Sequence, residues 1–190
     1  PLKEVNERMD LIKMMIGKTV MESYVPRENQ SDEIVLEAKN ITNHKLKDIS
    51  FDVKKGEIVG FYGLVGAGKT ELARAIYGAD KYSGDIIFNG KKLGKTPVKT
   101  IDAGIALVPE ERRTQGIFTL LTIKHNIPVM NMKKITSSGL INTAKEREVS
   151  KEYIGKLNVK TDSMEKETAK LSGGNQQKVV FSKCLFADAD

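Results

Sequence analysis

Apolar residues recur along this chain with two different periods. Leu2, Val5, Met9, Ile12 and Ile16 fall three and four positions apart and stop at Gly17, a spacing that predicts an amphipathic helix closed by a glycine cap. Residues 24–31, polar and broken by Pro26, read as a linker, and the alternation over 34–41 reads as a strand. A domain is therefore expected to begin near Ser31. Further short strands are expected at 49–53, 57–62, 84–89 and 105–108, with glycine turns at Lys55-Gly56 and Asn89-Gly90 and a helix over 69–77. Strands and helices thus alternate, the mark of an α/β fold. Beyond Pro109 the character changes to polar loops around 136–139 and a helix over 144–157, whose Val149, Tyr153 and Leu157 line one face. A last helix, 172–187, starts at a Ser-Gly-Gly cap and is expected to bury Val179, Val180, Cys184 and Leu185.

With 190 residues, 39% of them hydrophobic, the chain can bury one sizeable core. The longest apolar runs, 58–65 and 179–187, are interrupted by glycine or charge and fall short of the roughly 20 residues a membrane helix needs. No basic start with an apolar stretch and a small-residue cleavage site is present, so no secretory leader is expected. The lone Cys184 can form no internal disulfide, which fits a reducing compartment. A net charge of +6 raises the question of nucleic acid. The lysines, however, lie scattered in pairs among nearly as many acids, with no basic stripe or stacking aromatics, so a solvated surface and no nucleic-acid partner are expected. The chain opens inside a helical pattern without an initiating methionine, so it is expected to be a piece of a longer protein.

The densest chemistry lies in Gly63, Leu64, Val65, Gly66, Ala67, Gly68, Lys69 and Thr70, a match to glycine, four residues, then Gly-Lys-Ser/Thr. An apolar segment precedes it and a helical pattern follows. Glycines let backbone N–H groups wrap a polyphosphate at distances a side chain would block, and the following helix offers its positive end. Lys69 is placed to neutralise the β- and γ-phosphates of ATP, and the Thr70 hydroxyl to ligate Mg²⁺. A glycine-rich turn that binds nothing would explain the glycines but not Lys69 beside Thr70.

Leu171-Ser-Gly-Gly-Asn-Gln-Gln-Lys178 is the second unusual string. On physics alone it is either a simple helix cap or an anion site built from the Ser172 hydroxyl and the amides of Gly173 and Gly174. It resembles the signature motif of ABC ATPases, and it stands roughly a hundred residues after the phosphate loop, as in that family. Leu64 to Leu72, the string Leu107-Val-Pro-Glu-Glu-Arg-Arg113 and the Asn-Gln-Gln of the signature resemble, more narrowly, the second nucleotide-binding half of the ATPases that power monosaccharide importers of the ribose, galactose and xylose type. Residues 1–30 resemble the connector that follows the first half.

The resemblance implies a P-loop NTPase of ABC type: a mixed β-sheet core with an antiparallel β subdomain and a helical insertion. It divides the chain into an ATP-binding core at 31–110, a helical subdomain at 111–170, and the signature and its helix at 171–190. It also implies two ATPase halves facing head to tail. ATP then lies between one half's phosphate loop and the other half's Ser172, Gly173 and Gly174. Permease subunits in the membrane meet the helical subdomain, a solute-binding protein acts indirectly, and the assembly sits at the cytoplasmic face of the cell membrane. A non-transport ABC ATPase and a regulatory nucleotide-binding module stay open as alternatives.

Several positions depart from the family pattern. Glu110 stands where a glutamine usually senses Mg²⁺ and the γ-phosphate; it is read as a catalytic and metal-approaching acid, or else as a surface acid beside Glu111, Arg112 and Arg113. Val65 and Glu71 replace a usual serine and threonine, so one hydroxyl to the α-phosphate is expected to be lacking. His44 is a candidate for stacking on adenine, or an ordinary loop residue, and His125 an ordinary residue. The apolar strand ending in Asp-Glu and the later switch histidine are expected after the signature helix, and the sequence stops at Asp190 before them. On that reading this chain binds nucleotide without turning it over, and exposes sheet edges.

Overall fold

The computed structural model describes residues 31–188. The helix and linker expected within residues 1–30 lie outside the described residues. Strand β1 (Ile34–Thr42) is central: β2 (Ile49–Lys54) pairs along one edge and β3 (Ser83–Phe88) along the other, both antiparallel. The Asn89-Gly90 turn then returns the chain as β4 (Lys91–Lys92) on the outside of β3.

Ala38 and Ile41 are both buried, although three residues apart on one strand, which simple alternation forbids. The register with β2 shifts between them and that with β3 between Lys39 and Thr42, and Asn40 there has a φ of 53°. The bulge turns Ile41 back to the face that Ala38 occupies. Asn40 is held in this conformation by its amide on Asp48 Oδ1 at 2.6 Å and by Ser50 Oγ, which accepts its N–H at 2.9 Å. Gly84 crosses the same place at a φ of 91°, and a Cβ on it would lie 2.4 Å from the Lys39 carbonyl oxygen. Helix α1 (Lys69–Ile76) lays Leu72 and Ala75 on this sheet, closing a core with Ala38, Ile41, Leu46 and Ile86.

A second core begins past the short helix α2 (Pro97–Asp102). It joins Ile117, α3 (Ile123–Asn126), the 3-10 turn at Pro128–Ile135, α4 (Thr143–Lys156) and α5 (Gly173–Phe186). Val149, Tyr153 and Leu157 pack against it, as the periodicity predicts. Asn142 caps α4 by accepting the Lys145 N–H at 3.1 Å. In α5, Val179, Val180 and Cys184 are buried as expected, whereas Leu185 is 41% exposed and Phe186 takes the core position. Helical rotation of about 100° per residue places Phe186, not Leu185, in line with Val179 and Lys183.

Two other expectations need correction. The polar loop read around 136–139 is a hairpin, β5 (Thr136–Ser137) with β6 (Leu140–Ile141), turned by Ser138 and Gly139 at φ values of 52° and 80°. The segments 57–62 and 105–108, read as strands, are assigned no strand. Ile58 is 74% exposed and Tyr62 fully so. Strand propensity measures fit to a pleated, half-buried surface and needs a ladder partner. In the described sheet β1 has both edges taken by β2 and β3, and neither apolar segment joins it.

Candidate functional site

The phosphate loop leaves the apolar segment, turns through Gly66 and Gly68 at φ values of 84° and 90°, and enters α1. These left-handed conformations are open to glycine and strained for a side chain. Gly68 is also buried against Leu46, whose Cδ2 would lie 3.1 Å from an added Cβ. That contact sets the loop beside residues 43–46, where Asn43 Oδ1 accepts the N–H groups of Lys45 and Leu46 at 2.9 and 2.8 Å. His44 is exposed at the tip of this turn.

Lys69 folds its ammonium back over the loop, donating to the carbonyls of Gly63 at 2.6 Å and Leu64 at 2.9 Å. Ala67 closes the turn through its N–H on the Leu64 carbonyl at 3.1 Å. Leu64 and Val65 project into solvent. Thr70 donates its hydroxyl to Glu110 Oε2 at 3.3 Å. The sequence placed these two residues in one site, and the structure brings them together. They border a cleft of about 260 Å³ that also takes in Lys69, Arg74, Pro109 and Gln115. A larger cavity of about 630 Å³, between Val35, Val53, Phe88 and Ile105, contains no phosphate-loop residue, so size alone does not locate the chemistry.

Glu71 has a different occupation. Its carboxylate pairs with Lys45, and the hydrogen bond from that lysine holds its pKa below the usual range. A charge one residue after Thr70 is thereby offset before it can oppose an incoming phosphate. One turn on, Arg74 grips Asp80 with Nε and Nη2 at 2.9 and 2.7 Å, and this bidentate bond likewise lowers the Asp80 pKa.

A magnesium ion needs hard oxygen donors and takes several of its six positions from water and phosphate. The Thr70 hydroxyl and the Glu110 carboxylate are such donors and are already neighbours. Among the described residues no three or more His, Cys, Asp or Glu are grouped so as to hold a metal ion.

Ser172 caps α5, with Ser172 and Gly174 exposed at its N-terminus. The Ser172 side chain makes no bond to its own helix amides; its Oγ accepts from the Asn175 amide at 2.9 Å, and Asn175 in turn accepts the Lys160 N–H at 2.8 Å. None of Ser172, Gly173 and Gly174 lines the Thr70–Glu110 cleft. Sequence reasoning missed the groups beneath them. Gln176 is fully buried and accepts from Arg112 Nε and Arg113 Nε at 3.3 and 3.4 Å. The available signal was its spacing: three and four residues before Val179 and Val180, it sits on the apolar face of α5.

Comparison with known proteins bears on this geometry. Residues 46–190 match the family model described as ABC transporter. The chain is 40% identical over 179 residues to a ribose import ATP-binding protein, RbsA 2, of Streptomyces avermitilis, covering 93% of this chain and 35% of that protein. It is 40% identical over 186 residues to the galactose/methyl galactoside import ATP-binding protein MglA of Clostridium tetani, covering 95% and 37%. The xylose import ATP-binding protein XylG of Photobacterium profundum is 38% identical over 190 residues, with coverage of 94% and 38%. The chain thus spans little more than a third of the length of these curated relatives. Among solved structures, a nucleotide-free ATP-binding cassette from an ABC transporter superposes with a TM-score of 0.65 at 22% identity, over 82% of this chain and 66% of that one. A dimeric cassette, MJ0796, bound to ADP and Pi after hydrolysis, gives 0.61 at 21% identity, over 80% and 69%. The described fold is that of these cassettes.

Proposed function

The chain belongs to the ABC transporter family of ATP-binding proteins, and on that premise we propose that it is part of the ATP-driven motor of an importer for a monosaccharide. The observation that carries the proposal is the convergence of Lys69, Thr70 and Glu110 on one cleft beside a glycine-turned loop. Similarity over more than nine-tenths of the chain to ribose, galactose and xylose import proteins supports the transported class.

In this reading the backbone N–H groups of residues 63–70 cradle the β-phosphate, with the positive end of α1 behind them. Lys69 exchanges its two carbonyl acceptors for oxygens of the β- and γ-phosphates. Thr70 and Glu110 would hold Mg²⁺, which would neutralise charge on the phosphate oxygens and so favour transfer of the γ-phosphoryl group to water. Ser172, Gly173 and Gly174 present donors to the γ-phosphate of a nucleotide held by an opposing half, so that ATP joins the two halves. In the whole protein, hydrolysis releases them and the movement is passed to permease subunits, which receive solute from a binding protein. The two separate cores support a division near residue 110 between an ATP-binding core and a helical region; within this reading 31–110 is the ATP-binding core, 111–170 the helical subdomain, 171–190 the signature and its helix, and 1–30 a connector. The helical region carries exposed Phe118, Leu120 and Leu140, apolar groups suited to a protein surface at the cytoplasmic side of the membrane. No helix among the described residues is long and apolar enough to cross that membrane itself.

The test is a titration with Mg-ATP, joined to uptake of labelled ribose, galactose and xylose in cells with and without the gene. Saturable binding that Lys69→Ala weakens by about tenfold or more, together with loss of uptake of one sugar, supports the proposal. Binding without any uptake defect favours a regulatory nucleotide-binding module instead.

A further inference from the structure

The turn between β1 and β2 is closed by one residue. Asn43 Oδ1 accepts the N–H groups of Lys45 and Leu46, and the Asn43 N–H donates to the Leu46 carbonyl at 3.0 Å. At the base of the turn the Thr42 hydroxyl oxygen accepts the Asp48 N–H at 3.0 Å, and Asp48 in turn holds the Asn40 amide, so the turn stands on the bulge of β1. The other end of the Asn43 side chain is less well served. Its Nδ2 is buried and has no hydrogen-bond partner among the described residues. A buried donor left unpaired is unfavourable, so what Asn43 contributes lies in its oxygen, which fixes the directions of Lys45 and Leu46.

Both of those residues reach the head of α1. Leu46 is 4% exposed and packs over Gly68, and Lys45 sets its ammonium on the Glu71 carboxylate. Gly68 and Glu71 are three residues apart and therefore share one face of the first helical turn. Lys69 and Thr70, whose side chains carry the phosphate chemistry, lie between them. Gly68 occupies the cap position without a side-chain cap of its own, so this end of the helix is held from outside, by the β1–β2 turn. Two contacts on one face set both the height of the first turn and its rotation about the helix axis.

We propose that Asn43 is a positioning residue for nucleotide binding: by shaping the turn 43–46 it clamps Gly68 and Glu71, and so keeps the phosphate-loop N–H groups, Lys69 and Thr70 aimed before a nucleotide arrives. It touches no nucleotide itself. Donors that already point in their bound directions need not be ordered on binding, and affinity gains by that difference. Loss of the clamp leaves every contacting group in the chain and weakens binding nonetheless. The inference rests on the phosphate-loop reading given above.

The experiment uses the full-length protein and follows hydrogen exchange in peptides spanning residues 63–72 while Mg-ATP or Mg-ADP is added, which reads occupancy at this loop alone. The variants are Asn43→Ala, Asn43→Ser and Asn142→Ala. Serine keeps an oxygen for the Lys45 and Leu46 amides and carries no unpaired donor. Asn142→Ala removes the cap of α4 in the second core and so controls for a general loss of stability. In Asn43→Ala both dissociation constants are expected to rise by about fivefold or more, because both nucleotides use the loop. Asn43→Ser and Asn142→Ala stay within about twofold of the parent. If Asn43→Ala does not fold, Leu46→Val takes its place; it shortens the side chain over Gly68 and should raise both constants by about threefold. Parent-like constants in Asn43→Ala, or in Leu46→Val where it stands in, overturn the proposal. So does a serine variant as weak as the alanine one, or equal weakening by Asn142→Ala. Lys69→Ala in the same titration separates the levels: if it weakens binding while Asn43→Ala does not, the clamp alone is wrong, and if it leaves binding unchanged, the phosphate-loop reading fails and takes the clamp with it.

Discussion

The Thr70 hydroxyl stands 3.3 Å from Glu110 Oε2, a contact between the first turn of α1 and the segment that leads into the helical region, forty positions along the chain. A carboxylate in this place has two opposed effects. It offers Mg²⁺ a full negative charge, and it repels a polyphosphate that comes without the metal.

Replacing that acid therefore separates the two effects. In Glu110→Gln, ATP without metal is expected to bind more tightly and Mg-ATP less so, shrinking the ratio of the two dissociation constants by about threefold or more. Titration in chelator and in excess Mg²⁺ measures the ratio, and an unchanged value places Glu110 outside the metal's reach.

Lys69→Ala removes a charged donor from the cradle. Charge-assisted hydrogen bonds contribute about 1.5 to 3 kcal/mol, so the affinity for Mg-ATP should fall by about tenfold to a hundredfold. Lys69 is exposed and its partners in the free protein are loop carbonyls. Its loss should accordingly change unfolding stability by no more than about 0.5 kcal/mol, as urea denaturation would register.

Gly84→Ala should behave in the reverse manner. The new Cβ meets the Lys39 carbonyl oxygen at 2.4 Å with φ at 91°, in a strand crossing that cannot yield without opening the β1–β3 ladder. A loss of about 2 to 4 kcal/mol is expected from strain and clash together. A urea midpoint equal to that of the parent would show that the bulge at Asn40 can relax.

Neighbouring buried groups on α5 should give opposite alkaline responses. Burial pushes the Lys183 pKa below its ordinary 10.5, so the unfolded chain binds the extra proton and stability rises as pH climbs towards that value. Burial pushes the Cys184 thiol above its ordinary 9.0, so the folded chain keeps the extra proton and stability falls as pH rises past 9.0 towards the raised value. Relative to the parent's curve, urea midpoints should climb with alkaline pH in Cys184→Ala, where the buried thiol is gone, and drop in Lys183→Met, where the buried lysine is gone. Parallel curves for the two variants would contradict the assignment.

Much of this was legible in the residues themselves. The glycine-lysine-threonine string, the cap at Ser172 and the apolar face of Val149, Tyr153 and Leu157 are local patterns, and local patterns survive folding. The expected strands at 57–62 and 105–108 failed because a strand is a relation to a neighbour, which no single segment contains. Two partnerships were hidden for the same reason. That Lys45 would neutralise Glu71, and that Arg112 and Arg113 would converge on Gln176, depends on elements 26 and more than 60 positions apart meeting in space. Leu185 failed more simply, by the rotation of one helical residue.

Lys69 in the free protein is not an idle charge: its ammonium already rests on the oxygens of Gly63 and Leu64. A small anion of single charge offers it little more than it has, whereas a chain of phosphates brings enough field to draw it away. On the proposed function, the resting contact is thus a threshold that an incoming anion has to exceed before the ammonium turns to it.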